Sequence, residues 1–556
     1  MEINSTMLAI LVAPLLASCA GSDAKGAATR SGGTLVIATT ADPDELFPLL
    51  PGNTQARAVT ELLYDYLAEI GTDLNIIGDA GFRPQLADSW RWAPDSLSIA
   101  FHINPAARWH DGVPVRASDV RFTYELAVGP ALGRPMRDAM SNIDSVTTRY
   151  SQTATFWFHA RRPDQFYTVA GLMLILPQHV FGKFSGDSAS RIAEQIAPVG
   201  SGRFRFAGRK RGESLEIRAD RHNYRGRPSL DRVVWSVAPE FQTAVTRLVG
   251  GEADLFDALH ADNLPAVRRN ADLQIVTLPG MDYVFMQFNL RDPAMRARPH
   301  PVFADRELRR ALTMAIDRQS MVRSVFDTLA LPSIGPTISA LPSARGGLTQ
   351  IPYDTVRAAR LLDSLGWKRG ADGVRARAGR LLSFKLLVPS SSLARVRFAV
   401  LIQAQLILAG VKMDIEQMDF AAFRARQDAR SFDAALGAWH VTGNPSAIVE
   451  TWSGDAVRRR DGRNYGSYES PSFDAALDSA IAARDTASSN RLYNRAYQTI
   501  LDDAPAVWLY EPRTVIGLHR RFKTVGMRPD AWWARLGEWW IPPRERIARD
   551  AAQPKG

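Results

Sequence analysis

The stretch from Phe82 to Leu126, FRPQLADSWRWAPDSLSIAFHINPAARWHDGVPVRASDVRFTYEL, decides the fold of this chain. Residues 96–103 alternate apolar and polar side chains, which predicts a half-buried strand. The pair Asp111-Gly112 predicts a turn, because it supplies a side-chain acceptor and then a residue that tolerates positive φ. Ser118 and Asp119 stand where a helix N-cap belongs, so a helix is expected to follow the turn.

Motifs in this stretch and around it resemble one protein family. The patterns LA-x-SW, HDG-x-P and DV-x-F at residues 86–122 resemble the signature of the extracytoplasmic solute-binding proteins of peptide-type ABC importers, family 5 of the bacterial solute-binding proteins. Further segments resemble the same family. They are GGTLVIA at 32–38, LPQH at 176–179, PVGSGRF at 198–204, GEADL at 251–255, RALTMAIDR at 310–318 and YDTVRAARLLDSLGW at 353–367.

The resemblance implies an α/β fold, periplasmic-binding-protein-like of type II, with two lobes, a hinge and the large three-domain, cluster C-like architecture. A length of 556 residues agrees with two or three domains. The expected organisation is a signal peptide at 1–18, a lipidated cysteine and flexible tether at 19–31, domain I at 32–68, 189–280 and 505–556, domain II at 69–188, and domain III with the ligand loop at 281–504.

Three further elements follow from local patterns. Residues 283–290, YVFMQFNL, are apolar almost throughout and predict a strand buried on both faces. Asp305 is expected to cap one helix that runs from Arg306 to about Phe326. A capped helix from Asp354 to Leu365 should follow, ended by a glycine.

The amino terminus predicts an exported lipoprotein. Residues 7–17 form an apolar run that is too short to span a membrane, and the tetrad Leu16-Ala17-Ser18-Cys19 resembles a bacterial lipobox. Cleavage before Cys19, the only cysteine in the chain, would leave it lipid-modified on a small, polar tether. The first six residues lack Lys and Arg and include Glu2, which is atypical of a signal peptide.

Composition argues against a nucleic-acid-binding protein. The formal net charge is +10, but 58 acidic residues are interspersed among 68 basic ones. The densest basic runs are only three residues long, at 209–211 and 458–460. We therefore interpret the charge as that of a solvated, Arg-rich surface and expect a monomer without nucleic acid.

The expected ligand loop, Trp439-His440-Val441-Thr442-Gly443-Asn444-Pro445, departs from the family pattern. In peptide-binding members, an aspartate after the tryptophan pairs with the peptide's α-amino group. No carboxylate lies between Trp439 and Pro445 here, and a buried ammonium without a partner is costly. His440 and Asn444 are therefore predicted ligand contacts that suit an oligosaccharide, a blocked peptide or a metal chelate. The alternative for His440 is a histidine at a strand end with no ligand.

The segment NYGSY at 464–468 resembles a wall of the family's cleft, where Tyr465 either stacks on ligand or packs inside a turn. The complete set of expected ligand contacts is Trp439, His440, Thr442, Asn444, Tyr465, Asp42, Glu45 and Asn289.

No motif of an enzyme or of a metal site stands out. The nine histidines are scattered, and neither H-E-x-x-H nor G-x-S-x-G occurs. The resemblance implies a solute-binding lipoprotein, outside the cytoplasm in the periplasm or at the cell surface, anchored to the membrane by its lipid. It would capture a peptide-like solute and deliver it to a permease and ATPase complex, without cofactor or metal. The alternatives are a non-peptide ligand on the same fold, a cell-envelope hydrolase, or a scaffold.

Overall fold

A computed structural model of the protein describes residues 30–183, 191, 195–459, 462–483 and 485–551. The predicted signal peptide, Cys19 and nearly all of the predicted tether lie outside these residues. Within them, no helix combines the length and the apolar character needed to cross a lipid bilayer.

A seven-stranded sheet is assembled from separate parts of the chain. Its strand Thr34–Thr39 is almost wholly buried and runs parallel to Arg232–Val237 along its full length. The helices Phe241–Val249 and Leu264–Arg269 supply part of the apolar cluster beside it. In spatial order its strands are Leu273–Leu278, Thr514–His519, Leu255–Phe256, Thr34–Thr39, Arg232–Val237, Ser214–Ala219 and Phe204–Lys210.

A buried ion network ties the carboxyl-terminal segment to the first strand. Arg521 pairs with Asp254 and Asp550, and all three side chains are at most 2% exposed. Asp550 Oδ1 also accepts a hydrogen bond from the backbone N–H of Thr34, at 2.8 Å. The two ends of the described chain therefore belong to the same sheet region.

A six-stranded sheet forms the second large layer. The strand Asp282–Phe288 lies between Ala434–His440 and Ala506–Pro512 and is antiparallel to both. Six of its seven residues are buried, as its continuous apolar sequence predicts. In spatial order the strands are Ala330–Pro332, Ala506–Pro512, Asp282–Phe288, Ala434–His440, Ser383–Pro389 and Lys412–Met418.

The stretch 82–126 folds as strand, turn and helix, as predicted. Its strand Ser98–Ile103 belongs to an antiparallel four-stranded sheet, and the helix Ala117–Val128 follows. The expected N-cap was wrong, because Arg116 is the N-cap and Asp119 is the third helical residue. Asp119 Oδ2 accepts a hydrogen bond from the backbone N–H of Arg116 at 2.8 Å. In spatial order the four strands are Ala87–Trp92, Ser98–Ile103, Thr153–Phe158 and Ile143–Tyr150.

The helix predicted from Arg306 to Phe326 is two helices, Arg306–Met314 and Arg318–Phe326. Asp305 caps the first as predicted. Asp317 accepts a hydrogen bond from the backbone N–H of Ser320 at 3.0 Å and so begins a second helix within the expected one.

The helix Thr355–Ser364 is capped by Asp354, whose Oδ1 accepts from the backbone N–H of Arg357 at 2.8 Å. Gly366 follows with φ +83°, which a residue with a side chain rarely adopts. This helix and its stop agree with the prediction.

The remaining elements cover the sheets or connect them. The other helices are Thr54–Leu63, Gly133–Ala139, Gln165–Ala170, Gln178–Phe181, Leu393–Leu408, Phe420–Asp428, Ile448–Trp452, Gly454–Arg458, Pro471–Ile481 and Thr486–Asp503. Two small sheets comprise Ala68–Ile70 with Phe82–Pro84, and Lys368–Arg369 with Arg375–Arg377 and Arg380–Leu381.

The chain passes between the two large sheets at residues 279–281 and returns at Arg513. The two passages touch, because a Cβ on Gly280 would collide with the carbonyl oxygen of Pro512. Domain I was expected to resume at residue 505. The strand Ala506–Pro512 still belongs to the six-stranded sheet, and the chain re-enters the seven-stranded sheet only with the strand Thr514–His519. We call the described residues of 30–278 and 514–551 the first lobe and those of 282–512 the second lobe.

Candidate functional site

Two adjoining cavities lie between the lobes. The first has a volume of about 240 Å³ and is lined by residues of both lobes. The second, of about 630 Å³, shares Tyr167, Leu172 and Thr442 with the first. We call the polar first-lobe side of the first cavity the charged wall; it comprises Arg57, Glu61, Tyr66, Glu69, Arg528 and Asp530. We call the opposite side the loop wall; it comprises Met281, His440, Val441, Thr442 and Gly443.

The loop wall follows the strand Ala434–His440. His440 is paired in register with Asp282 of the neighbouring strand, and its Nδ1 lies 3.1 Å from Asp282 Oδ1. The side chain of His440, a predicted ligand contact, is 60% exposed and lines the first cavity. Its carboxylate partner was missed because Asp282 precedes it by 158 residues and reaches it only through strand pairing.

Thr442 and Asn444 also lie at the cavities. Thr442 is exposed and lines both, whereas Asn444 lines the second. Asn444 Oδ1 accepts from the backbone N–H of Ser446 at 2.9 Å and so caps the short 3₁₀ helix Pro445–Ala447. The other side of the same amide reaches the first lobe, where Asn444 Nδ2 donates to Asp164 Oδ2 at 3.0 Å.

A second hydrogen bond joins the lobes nearby. The Thr486 hydroxyl donates to the carbonyl oxygen of Ile77 at 3.1 Å. With the bond between Asn444 and Asp164, it holds the second lobe against the first beside the cavities.

Trp439 and Tyr465, both predicted to contact ligand, pack against each other away from the cavities. Their rings are stacked with centroids 5.8 Å apart and planes 22° apart. Tyr465 is 3% exposed and packs with Phe423 and Phe432, while the Arg424 guanidinium lies 5.2 Å over its ring. Of the two alternatives for Tyr465, the structure therefore has the residue packed inside. Trp439 does not line either cavity.

Asn289, Asp42 and Glu45 also lie away from both cavities. Asn289 is 1% exposed, and its amide donates to the carbonyl oxygens of Arg430 at 3.1 Å and Phe432 at 2.9 Å. These bonds join two strand ends of the second lobe, so the amide is occupied within the fold.

The other two residues serve the opening turn. Asp42 Oδ2 accepts from the backbone N–H of Gly212 at 2.7 Å and pairs with Arg209 at 3.2 Å. Glu45 is exposed with φ +48°, and its carbonyl oxygen accepts from the backbone N–H of Gly52 at 3.4 Å. The expectation of ligand contact at these positions therefore does not match their places in the structure.

The charged wall was not predicted. Glu61 accepts hydrogen bonds from Arg57 Nε at 2.8 Å, Tyr66 Oη at 3.0 Å and Trp533 Nε1 at 2.8 Å. Burial raises the pKa of Glu61, but Arg57 and the other donors outweigh burial and hold it below its ordinary value. Arg57 and Glu61 stand four residues apart on the helix Thr54–Leu63, which was the available sequence signal.

Arg528 completes this wall from the carboxyl-terminal segment. Its Nε and Nη2 donate to the two oxygens of Asp530 at 3.0 and 3.2 Å, and its Nη1 donates to the carbonyl oxygen of Ile70 at 3.0 Å. The Arg528 side chain is 7% exposed. Such a two-point pair fixes the guanidinium in one orientation at the cavity.

Glu69 differs from the other carboxylates of the wall. Its closest cation is Arg528, with Nη1 3.6 Å from Glu69 Oε1, which is too long for a hydrogen bond. Burial raises the pKa of Glu69 above its ordinary value, although nearby arginines act in the opposite direction. The charged wall thus contains one carboxylate that lacks a close partner among the described residues.

Two lobes, paired crossings between them and a cleft lined from both sides define a periplasmic-binding-protein-like fold of type II, with its three-domain organisation. This is the architecture of an extracytoplasmic solute-binding protein.

The sequence model of one family, described as bacterial extracellular solute-binding proteins, family 5 middle, matches residues 81–458. The chain belongs to family 5 of these proteins, of the peptide and nickel type. The family consists of extracytoplasmic binding proteins of ABC transporters and is not a family of enzymes.

Known relatives span nearly the whole chain. The chain is 24% identical to the oligopeptide-binding protein AppA of Bacillus subtilis over 551 residues, covering 96% of this chain and 98% of AppA. The structure of Bacillus subtilis AppA in complex with a nonapeptide aligns with a TM-score of 0.71 and 23% identity, covering 92% of this chain and 99% of that one. NikZ from Campylobacter jejuni in complex with Ni(L-His) aligns with a TM-score of 0.73 and 22% identity, covering 91% and 99%. At such identities the structures establish the fold.

Proposed function

We propose that this protein is the substrate-binding lipoprotein of an ABC importer and that it captures a peptide-like solute between its lobes. Closure of the lobes removes water from the ligand, and a ligand shifts the protein toward the closed state only by binding that state better. The permease and its ATPase then receive the solute from the closed protein.

The observation that carries the peptide assignment is the presence of both charge signs around the first cavity. A short peptide with free ends has an ammonium group at one end and a carboxylate at the other. Carboxylates and guanidinium groups on the charged wall complement both, while backbone and side chains of the loop wall offer hydrogen bonds. A neutral oligosaccharide has no ionic groups to pair with these charges and would use them only as hydrogen-bond partners. The oligopeptide-binding relative supports the same solute class.

We also propose that Cys19 is lipidated and anchors the protein at the outer face of a membrane. The support is the lipobox-like tetrad and the small, polar segment after it. Intact-mass spectrometry of the protein from membranes should show the cleaved, acylated cysteine; an unmodified amino terminus at Met1 would contradict the anchor.

A metal chelate is the second candidate, and His440 is the observation that favours it. His440 lines the cavity, and only its Nδ1 has a partner among the described residues, which leaves Nε2 for a metal ion in a chelate. NikZ, which shares the fold, is described in complex with Ni(L-His). Within the described residues, no cluster of three or more His, Cys, Asp or Glu side chains could hold a metal alone, so the chelate itself would have to supply most ligands.

The deciding experiment is mass spectrometry of small molecules released by denaturing full-length protein purified natively, with elemental analysis of the same sample. A ladder of short peptides would establish peptide capture. Stoichiometric nickel or another transition metal with a small chelator would establish the alternative. A sugar, or no ligand together with no binding to a peptide library, would reject the peptide assignment.

A further inference from the structure

The carboxylate of Glu69 lies in the first cavity without a hydrogen-bond donor to balance it. It lies on the short strand Ala68–Ile70, and its side chain is 22% exposed. Among the described residues its one ion pair is the 3.6 Å approach to Arg528. A carboxylate removed from bulk water without donors is costly, so this position favours a cation that arrives with the ligand.

The arginines around Glu69 are each committed elsewhere. Arg528 forms its two-point pair with Asp530, Arg225 pairs with Asp65, and Arg535 pairs with Glu538. Their positive charges lower the pKa of Glu69, and burial still leaves it raised. None of the three arginines donates a hydrogen bond to the Glu69 carboxylate.

The other carboxylates near the cavity are less available. Glu61 already accepts three hydrogen bonds, and Asp530 accepts two from Arg528. Asp282 is paired with His440 and does not line the cavity. Among the three carboxylates that line the first cavity, Glu69 therefore has the most capacity for a new donor.

We propose that Glu69 binds the primary ammonium group of the ligand, so that the cation-binding carboxylate lies on the first lobe, opposite a loop wall that carries no carboxylate. This inference rests on the proposed capture of a peptide-like solute. An ammonium group has three donors on one compact charge and suits a single carboxylate facing open space. The amino end of the ligand would then lie against the charged wall, and His440 and Thr442 would contact the ligand from the other side.

The test is competition within one equimolar pool of synthetic peptides of two to nine residues that contain no Lys, Arg or His. Each peptide is supplied with a free amino terminus and in N-acetylated form, so the α-ammonium is the only cation. Full-length protein, freed of bound solutes by unfolding and refolding, is incubated with the pool, and retained peptides are quantified by mass spectrometry. We compare wild type, Glu69→Gln, Glu69→Asp and Glu213→Gln. The last removes the same charge from a side chain that is 73% exposed in a surface hairpin.

Wild type and Glu213→Gln should retain free peptides at least about tenfold over their acetylated forms, whereas Glu69→Gln should retain both forms nearly equally. Glu69→Asp, which keeps the charge but shortens the side chain, should keep a reduced preference. This variant separates loss of charge from loss of folding if Glu69→Gln is unstable. Equal retention of both forms by wild type, or an unchanged preference in Glu69→Gln, would overturn the role of Glu69 and leave peptide capture standing. Retention of neither form by wild type would reject the proposed function itself, and the Glu69 proposal with it.

Discussion

The charged wall and the loop wall face the same cavity but are built in opposite ways. On the charged wall, Arg57, Glu61, Arg528 and Asp530 are joined by direct ion pairs and hydrogen bonds. The loop wall presents backbone and uncharged side chains together with one ionisable residue, His440, which is exposed and joined to Asp282. One side is therefore fixed by charge, while the other is held by a few single hydrogen bonds.

The difference suggests a division of labour between the lobes. A buried ion network loses much free energy when one member is removed, so it keeps its geometry whether or not ligand is present. A single hydrogen bond to a charged group, such as that between Asn444 and Asp164, contributes about 1.5–3 kcal/mol and can break as the lobes open. We infer that the first lobe sets which charges are recognised and that the second lobe closes over the solute.

The largest effect is expected from removing the central cation of the charged wall. Arg528→Met leaves Asp530 without its two-point pair and Ile70 without a donor, at a side chain that is 7% exposed. The free energy of unfolding should fall by about 3–5 kcal/mol, as measured by urea denaturation.

Arg528→Lys is the matched control, because it keeps the charge and loses only the forked geometry. It should lose clearly less stability than Arg528→Met. A loss below about 1 kcal/mol in Arg528→Met would mean that the charged wall is not a rigid unit and would remove the contrast between the two walls.

The second prediction concerns the bond between the lobes. Asn444→Asp places a carboxylate against that of Asp164 yet keeps the acceptor that caps Pro445–Ala447. Repulsion should favour the open state, weaken binding of the natively released solute about tenfold and increase the radius of gyration in small-angle scattering.

The combination of Asn444→Asp with Asp164→Asn exchanges the two groups and should restore affinity, because the amide again donates to a carboxylate. Failure of this exchange to rescue binding, after a loss in the single variant, would show that the loss arises within the loop. Unchanged scattering and affinity in Asn444→Asp would show that this bond does not contribute to closure.

A smaller effect is expected on the loop wall itself. His440→Ala removes a side chain that lines the cavity but leaves the strand pairing of Asp282 unchanged, since that pairing is made by the backbone. Affinity measured by calorimetry should fall about three- to tenfold, equivalent to one hydrogen bond. Unchanged affinity would mean that His440 is a strand-end histidine without a ligand role.

Much of the fold could be predicted from the sequence because its signals are local. The alternation before Asp111-Gly112 gives the strand and turn, and the run 283–290 gives the central buried strand. The error at residues 306–326 arose because two signals lay close together. Asp305 and Asp317 are both helix caps, so a single periodic segment became two helices.

The candidate site could be predicted only in part, because only part of it is contiguous in the sequence. His440, Thr442 and Asn444 belong to one contiguous loop, and resemblance placed that loop in the cleft. The charged wall has no such motif, because Arg528 meets the carbonyl of Ile70 across 458 residues of sequence. Asn289 was misplaced because a polar residue at a strand end serves either a ligand or, as here, neighbouring carbonyl groups.

The smallest expected effect concerns the stability that the ligand-free protein loses by keeping the Glu69 carboxylate in the charged wall without a hydrogen-bond donor. The pKa of Glu69 is raised by burial above its ordinary value near 4.5. At pH values between the ordinary pKa of Glu69 in the unfolded chain and its raised pKa in the folded protein, the folded protein binds more protons than the unfolded chain. Stability therefore falls as the pH rises through this range. Glu69→Gln has no such charge, and its ligand-free melting temperature at pH 7.5 should exceed that of wild type by about 1 °C, a small shift because the unfolding entropy of so long a chain is large.

At pH 4, below the ordinary pKa of the carboxyl group, the difference in melting temperature should shrink, because the folded protein no longer carries the full charge of Glu69. Glu213→Gln should show no such pH-dependent gain, since its side chain is exposed in the folded protein. A lower melting temperature of Glu69→Gln at pH 7.5 would mean that the surrounding arginines already stabilise the carboxylate. Glu69 would then be one more member of the rigid network, and the ammonium group of the solute would have to be bound elsewhere in the cleft.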